Sequence, residues 1–223
     1  LLVGCGGGGG ESSTDSSSSS KYSVTAIDGY LQNAEVWLDL NENFELDVNE
    51  PNTLSGEGGI ANLEIGDLAN PEQYPVVVRA IAGQTEDEGQ GLVTTGYVMS
   101  APAGETAVTP LSTLVHVILK RNQDDTDAPE EVAQKKQSAI TQVSVQLGIE
   151  SDDVLGDFIK SDAKDVIFAA ENIVSAKVLP ANPRDLLSIT DSTQAEADKF
   201  IQQTSVITRE IKNVVEEVNP DFN

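Results

Sequence analysis

Cysteine, histidine, methionine and tryptophan each occur once in the 223 residues. The single cysteine, Cys5, permits no disulfide within the chain. With His116 as its only imidazole, the chain cannot build a zinc centre from several His and Cys ligands, nor a Cys-His pair far from its start. Aromatic residues make up only 4% of the chain, so any core is mainly aliphatic. Basic residues number 13 against 37 acidic ones, a net charge of −24. That excess repels phosphate backbones and bare anionic membrane surfaces, which argues against a nucleic-acid partner. No apolar run is long enough to span a bilayer. The glycine run at 6–10 lies outside any strand–helix unit, so its Gly-x-Gly spacing does not describe a phosphate loop.

What is present is an acidic twelve-residue stretch, Asp39 to Glu50. Oxygen-bearing side chains fall at its first, third, fifth, ninth and twelfth places: Asp39, Asn41, Asn43, Asp47 and Glu50. Glu45, in seventh place, can offer its backbone carbonyl. This is the ligand ladder of a calcium loop, because a hard cation takes six to eight oxygens and Glu50 can supply two. Phe44 occupies the sixth place, where glycine normally makes the sharp turn. The competing reading is a solvated acidic hairpin without an ion. Ala34, Val36, Leu38 and Leu40 alternate with Glu35, Trp37 and Asp39, a strand period. The loop is thus expected to follow a β-strand, and calcium to be structural, not regulatory.

The first residues, Leu2-Val3-Gly4-Cys5, resemble a bacterial lipobox. The resemblance implies cleavage before Cys5 and lipid attachment there, with the start of the signal peptide missing. Residues 6–20 are Gly- and Ser-rich and read as a flexible tether. Gly6 is not the Asp associated with inner-membrane retention, which by resemblance points to an outer-membrane lipoprotein, facing the periplasm or the cell surface. The competing reading is an unstructured start with an incidental cysteine.

Residues 22–108 read as β, with strands expected at 22–27, 34–40, 60–65, 75–82 and 92–99 and a turn at Asp28-Gly29. Pro75 to Gly83 reads as a central buried strand. Val24 to Val36 resembles the opening of transthyretin-like (prealbumin-like) and Cna-B-like sandwiches, the group that includes carboxypeptidase regulatory-like modules. Thr53 and Gly59-Ile60-Ala61-Asn62-Leu63 resemble a later hairpin of that family, with Ile60 in place of its usual aromatic. Val36 through Pro51 resembles the calcium-binding B repeats of Sdr-type surface adhesins. The resemblance implies a β-sandwich holding calcium and a role in adhesion or glycan recognition. Residues 84–91 read as a solvated acidic hairpin tip, with further calcium oxygens as the alternative.

After Gly104 the pattern turns helical. Thr109-Pro110 is a helix start, and helices are expected to about 120, over 130–148, near 152–160, over 162–178 and from about 193 to 218. Phe200, Thr204, Ile207, Ile211, Val214 and Val218 form a stripe suited to a bundle core. The junction at 107–115, with Asp28-Gly29-Tyr30 upstream, resembles uncharacterised bacterial surface lipoproteins.

The expectation is a segregated α+β chain: a tether over 1–21, a β-sandwich over 22–108 and a helical domain over 109–223. No catalytic set can be read. His116 sits in an apolar helix and reads as structural; Ser112 would share its face, but no third group or oxyanion hole is evident. The functional expectation is a non-catalytic, calcium-stabilised, lipid-anchored surface protein that binds a protein or glycan. Its rivals are an accessory module of a carbohydrate-active enzyme, which needs an aromatic platform from Trp37, Tyr22, Tyr30, Tyr74 and Tyr97, and an assembly or secretion subunit docking through its last helices.

Overall fold

The structure, a computed structural model, describes residues 20–192, 199, 202–206, 208–211 and 213. The expected lipidation residue Cys5, the tether and most of the expected last helix lie outside them. Among the described residues ten strands precede the α-helices, so the chain is α+β with its strands and helices segregated along the sequence. The strands are β1 (Lys21–Ala26), β2 (Leu31–Gln32), β3 (Glu35–Leu38), β4 (Asn52–Leu54), β5 (Ile60–Glu64), β6 (Val76–Ala80), β7 (Glu86–Asp87), β8 (Gly91–Leu92), β9 (Tyr97–Ala101) and β10 (Ala107–Val108). The helices are α1 (Pro110–Asn122), α2 (Pro129–Leu147), α3 (Lys164–Ser175) and α4 (Pro183–Thr190). Residues 202–206 and 208–211 are also helical.

The strands form three sheets, in the orders β10-β1-β5, β2-β7-β8 and β4-β3-β6-β9. In the four-stranded sheet, Val36, Val78 and Met99 form one cross-strand row and Trp37, Val77 and Ser100 the next. Successive side chains on a strand point to opposite faces. The first row therefore joins the main core with Val24, Ala61 and Leu63 of the β1/β5 pair. The second faces a smaller core, where Trp37, Val77 and Val98 meet Phe44, Val117 and Leu186. The expected central strand is β6, buried at Val76, Val77 and Val78 because both faces are covered.

Helix α1 is capped reciprocally: Thr109 Oγ1 accepts from the Ser112 N–H at 2.9 Å, and Ser112 Oγ accepts from the Thr109 N–H at 2.8 Å. Every residue from Pro110 to Leu119 is buried, since the helix lies between β9 and the other helices. The main core runs without a break from the strands through Leu111, Leu114 and Val143 to Ile173. The change of composition at 108/109 marks the end of the last strand and does not divide that core.

Three helical expectations are corrected. No α-helix forms over 152–160, where a short 3-10 turn (Ser151–Asp153) is followed by turns. Asp157 Oδ1 accepts the Lys160 N–H at 3.0 Å, a local bond that competes with helix. Helix α3 stops at Ser175 and not at 178, because Lys177 adopts φ 55° and the Val178 N–H returns to the Ile173 carbonyl at 3.1 Å. Pro183 does not merely end a helix; it begins α4, with the Asn182 side chain accepting from the Arg184 N–H at 3.1 Å. Among the strands, the expected 92–99 run is only Gly91–Leu92 and Tyr97–Ala101, and β4 pairs beside β3 where no strand was expected.

Candidate functional site in the acidic loop

The loop leaves β3 at Asp39 and returns to β4 through Glu50 and Pro51. Asp39 is fully buried and bonded at both oxygens: Oδ1 accepts from the Asn43 N–H at 3.0 Å and Oδ2 from the Phe44 N–H at 2.8 Å. Glu50, also buried, accepts from the Leu40 N–H at 2.7 Å (Oε1) and the Asp47 N–H at 2.9 Å (Oε2). Asp47 Oδ2 accepts from the side-chain amides of Asn41 at 2.8 Å and Asn43 at 3.0 Å. Asn43 Oδ1 accepts from the Glu45 N–H at 2.7 Å. One hydrogen-bonded network thus links Asp39, Asn41, Asn43 and Asp47 with Glu50.

The carboxylate of Glu45 turns out of this network. Arg184 of α4 grips it with two N–H donors, each at 3.0 Å. Glu42 pairs with Lys120 of α1. Asp39, Asp47 and Glu50, by contrast, make no salt bridge among the described residues. Burial raises the Asp39 pKa to about 6; the Phe44 and Asn43 N–H groups oppose the rise, while the charges of Glu50 and Glu42 add to it.

Phe44 makes the turn expected of glycine. Its φ is 63°, in the left-handed region, and Glu42 sits at 58°. A non-glycine residue there costs roughly 1–2 kcal/mol. The offset is packing: the Phe44 ring is buried in the smaller core beside Trp37 and Val117. Full burial of a Phe side chain is worth about 1.5–3 kcal/mol, enough to outweigh the backbone cost.

The donor chemistry, oxygen only, fits a hard cation such as calcium. As the loop stands, N–H groups occupy its carboxylates. Among the described residues no three His, Cys, Asp or Glu side chains are grouped so as to hold a metal ion.

His116 is buried and packed, with Nδ1 3.0 Å from Ser100 Oγ. Burial and the nearby Lys120 charge push its pKa down to about 3, so it is neutral. Ser112 Oγ serves the Ser100 and Thr109 carbonyls, at 2.7 and 2.9 Å, and makes no pair with His116. Trp37 and Tyr97 are buried, which removes two of the five aromatics from any exposed platform. No helix among the described residues is long and apolar enough to cross a membrane.

A second acidic group went unread in the sequence. Asp87, placed in a solvated tip by its neighbours, is buried and accepts the N–H groups of Gly29 at 2.9 Å, Gly89 at 2.7 Å and Gln90 at 2.9 Å. Asp28 is buried near it and accepts from Tyr97 Oη at 2.8 Å. The available signal was two Asp-x-Gly or Asp-Gly turns, at 28–29 and 87–89, which the fold sets face to face.

Comparison with protein-family models, curated proteins and solved structures found no match to this chain.

Proposed function

We propose that the chain is a non-catalytic, calcium-stabilised binding or scaffold module of the bacterial cell surface, carried on a lipid anchor at Cys5. In this reading the sheets are a β-sandwich, the helices a bundle, and the ligand a protein or glycan. Calcium would be held by Asp39, Asn41, Asn43, Asp47 and Glu50 with the Glu45 carbonyl. The observation that carries the proposal is the unpaired charge at the base of the loop. Asp39 and Glu50 are buried close together with N–H donors alone, while the outer carboxylates Glu42 and Glu45 are matched to cations. Buried like charges raise one another's cost, and a divalent cation removes it. Binding and folding would then be coupled.

Calcium titration of the chelator-treated chain tests this by calorimetry and thermal melts. The expected result is saturable binding with a Kd of about 10⁻⁶ to 10⁻³ M. At a hundredfold excess over Kd the folded state should gain about 2.7 kcal/mol. Asp47 is exposed, so Asp47→Asn should weaken binding without unfolding the chain. Absence of both heat and a melting shift at about 10 mM calcium would overturn the proposal.

A further inference from the structure

A cavity of about 420 Å³ opens between the β8–β9 connection and the turn after α3. That volume suits a small organic ligand. Leu92, Val174 and Leu179 give it an aliphatic wall, and Thr94 and Thr95 add hydroxyls. Asp28 and Asp87 border it together.

The two carboxylates differ in what they have left to offer. Three backbone N–H groups occupy both oxygens of Asp87. Asp28 accepts from Tyr97 through Oδ2 only; its Oδ1 is buried and has no hydrogen-bond partner among the described residues. A carboxylate oxygen buried without a donor is costly, and a charged donor brought to it forms a strong bond. One free carboxylate oxygen is too few for calcium, which needs six to eight oxygens. It suits an ammonium group, whose remaining N–H donors can reach threonine hydroxyls and whose aliphatic stem can lie on the leucine and valine wall.

We propose that this cavity binds a primary ammonium group carried on an aliphatic chain, with Asp28 Oδ1 as its anchor. Free alkylamines and lysine side chains share that chemistry. Lys177 also borders the cavity.

The test is an NMR titration of the full chain, read at the amides of Gly29, Gln90 and Tyr97. The probes are n-pentylammonium, acetyl-lysine amide, and the neutral and anionic isosteres n-pentanol and pentanoate. Saturable shifts with a Kd of about 1 mM or below are expected for at least one ammonium probe and for neither isostere. Binding by both ammonium probes points to the group alone, and binding by acetyl-lysine amide only to a peptide-borne lysine. Asp28→Asn should weaken binding at least about tenfold. Leu92 is exposed at the rim, so Leu92→Trp should block entry with the fold intact. Ammonium binding unchanged in Asp28→Asn, equal binding of pentanol, or no binding of either ammonium probe would overturn the proposal.

Discussion

The ring of Phe44, at the crown of the acidic loop, lies 5.1 Å from the imidazole of His116 on α1, the two planes tilted by 47°. Tilted aromatic pairs at this separation are attractive. The contact joins the most acidic segment of the strands to the most buried helix. The loop, with Asp39 and Glu50 buried at its base, thus hangs from an apolar peg.

Removing the peg should therefore unfasten the loop. Phe44→Ala is expected to destabilise the chain by about 3–5 kcal/mol, the range for buried aromatic truncations. Phe44→Gly relieves the left-handed backbone and should recover roughly 1 kcal/mol of that loss, not all of it. Urea unfolding of the two variants checks the order. Equal stability of wild type and Phe44→Gly would show that the ring adds no net packing.

A pH dependence follows from two buried groups with opposite signs. His116 is held neutral, with its pKa lowered to about 3. The unfolded chain takes up that proton below about 6.5, so this part of the stability is lost as pH falls from about 6.5 toward 3. Asp28 is raised to about 7 by burial, aided by the charges of Asp87 and Glu171 and opposed by the Tyr97 hydrogen bond. There the folded state keeps a proton that the unfolded chain releases near pH 4, so stability falls as pH rises from about 4 to 7. Asp28→Asn isolates the second effect. The variant should be more stable than wild type at pH 8, by about 1–3 kcal/mol, with the advantage gone at pH 4. Denaturant melts at the two pH values measure it; an advantage independent of pH would contradict the assignment.

The Glu45–Arg184 pair is well formed but wet, its side chains 40% and 70% exposed. Its coupling energy should be small, about 0.2–1 kcal/mol, and should shrink in salt. A double-mutant cycle of Glu45→Gln and Arg184→Gln, run at low and high ionic strength, gives the value. A coupling above about 2 kcal/mol would mean that the pair sets the position of the loop.

Gly29 should tolerate no side chain. A Cβ there would stand 2.3 Å from Asp87 Oδ1. That oxygen is fixed by the Gly89 and Gln90 N–H groups, so it cannot easily retreat. Gly29→Ala should cost roughly 1–3 kcal/mol through overpacking, measured by the urea midpoint.

Apolar patterning was a good guide to the central strands, which are buried on both faces. The alternation from Ala34 to Leu40 yielded β3, and the apolar run at 75–82 yielded β6, since a strand covered on both faces has no polar beat. Thr109-Pro110 and Gly148 placed the start of α1 and the end of α2 by capping chemistry alone. Illegible were features fixed by distant partners. Lys177 ends α3 in a conformation that its residue type does not announce. Asp87 looks solvated among Glu86, Glu88 and Gln90, and it is buried only because the Gly29 turn folds over it. Asn182-Pro183 is a readable helix start, with an Asn cap and proline at the first helical position, although proline also reads as a helix breaker. In the acidic loop the spacing identified the residues that share a network. It could not foretell that Phe44 would adopt the glycine turn, because the benefit comes from Trp37, Val117 and Leu186, remote in sequence.

Three backbone groups on the outer rim of β9 are taken by other parts of the chain. The Val98 N–H is taken by the Pro180 carbonyl at 2.8 Å, the Ser100 N–H by Thr113 Oγ1 at 2.9 Å and the Ser100 carbonyl by Ser112 Oγ at 2.7 Å. All three closures come from beyond residue 108. A chain cut after Val108 would lose these closures and the helical part of the core, leaving a raw sheet border and an uncovered apolar face. Such borders polymerise. The helical half thus supplies, at the β9 edge, the partners that a neighbouring molecule's strand would otherwise offer.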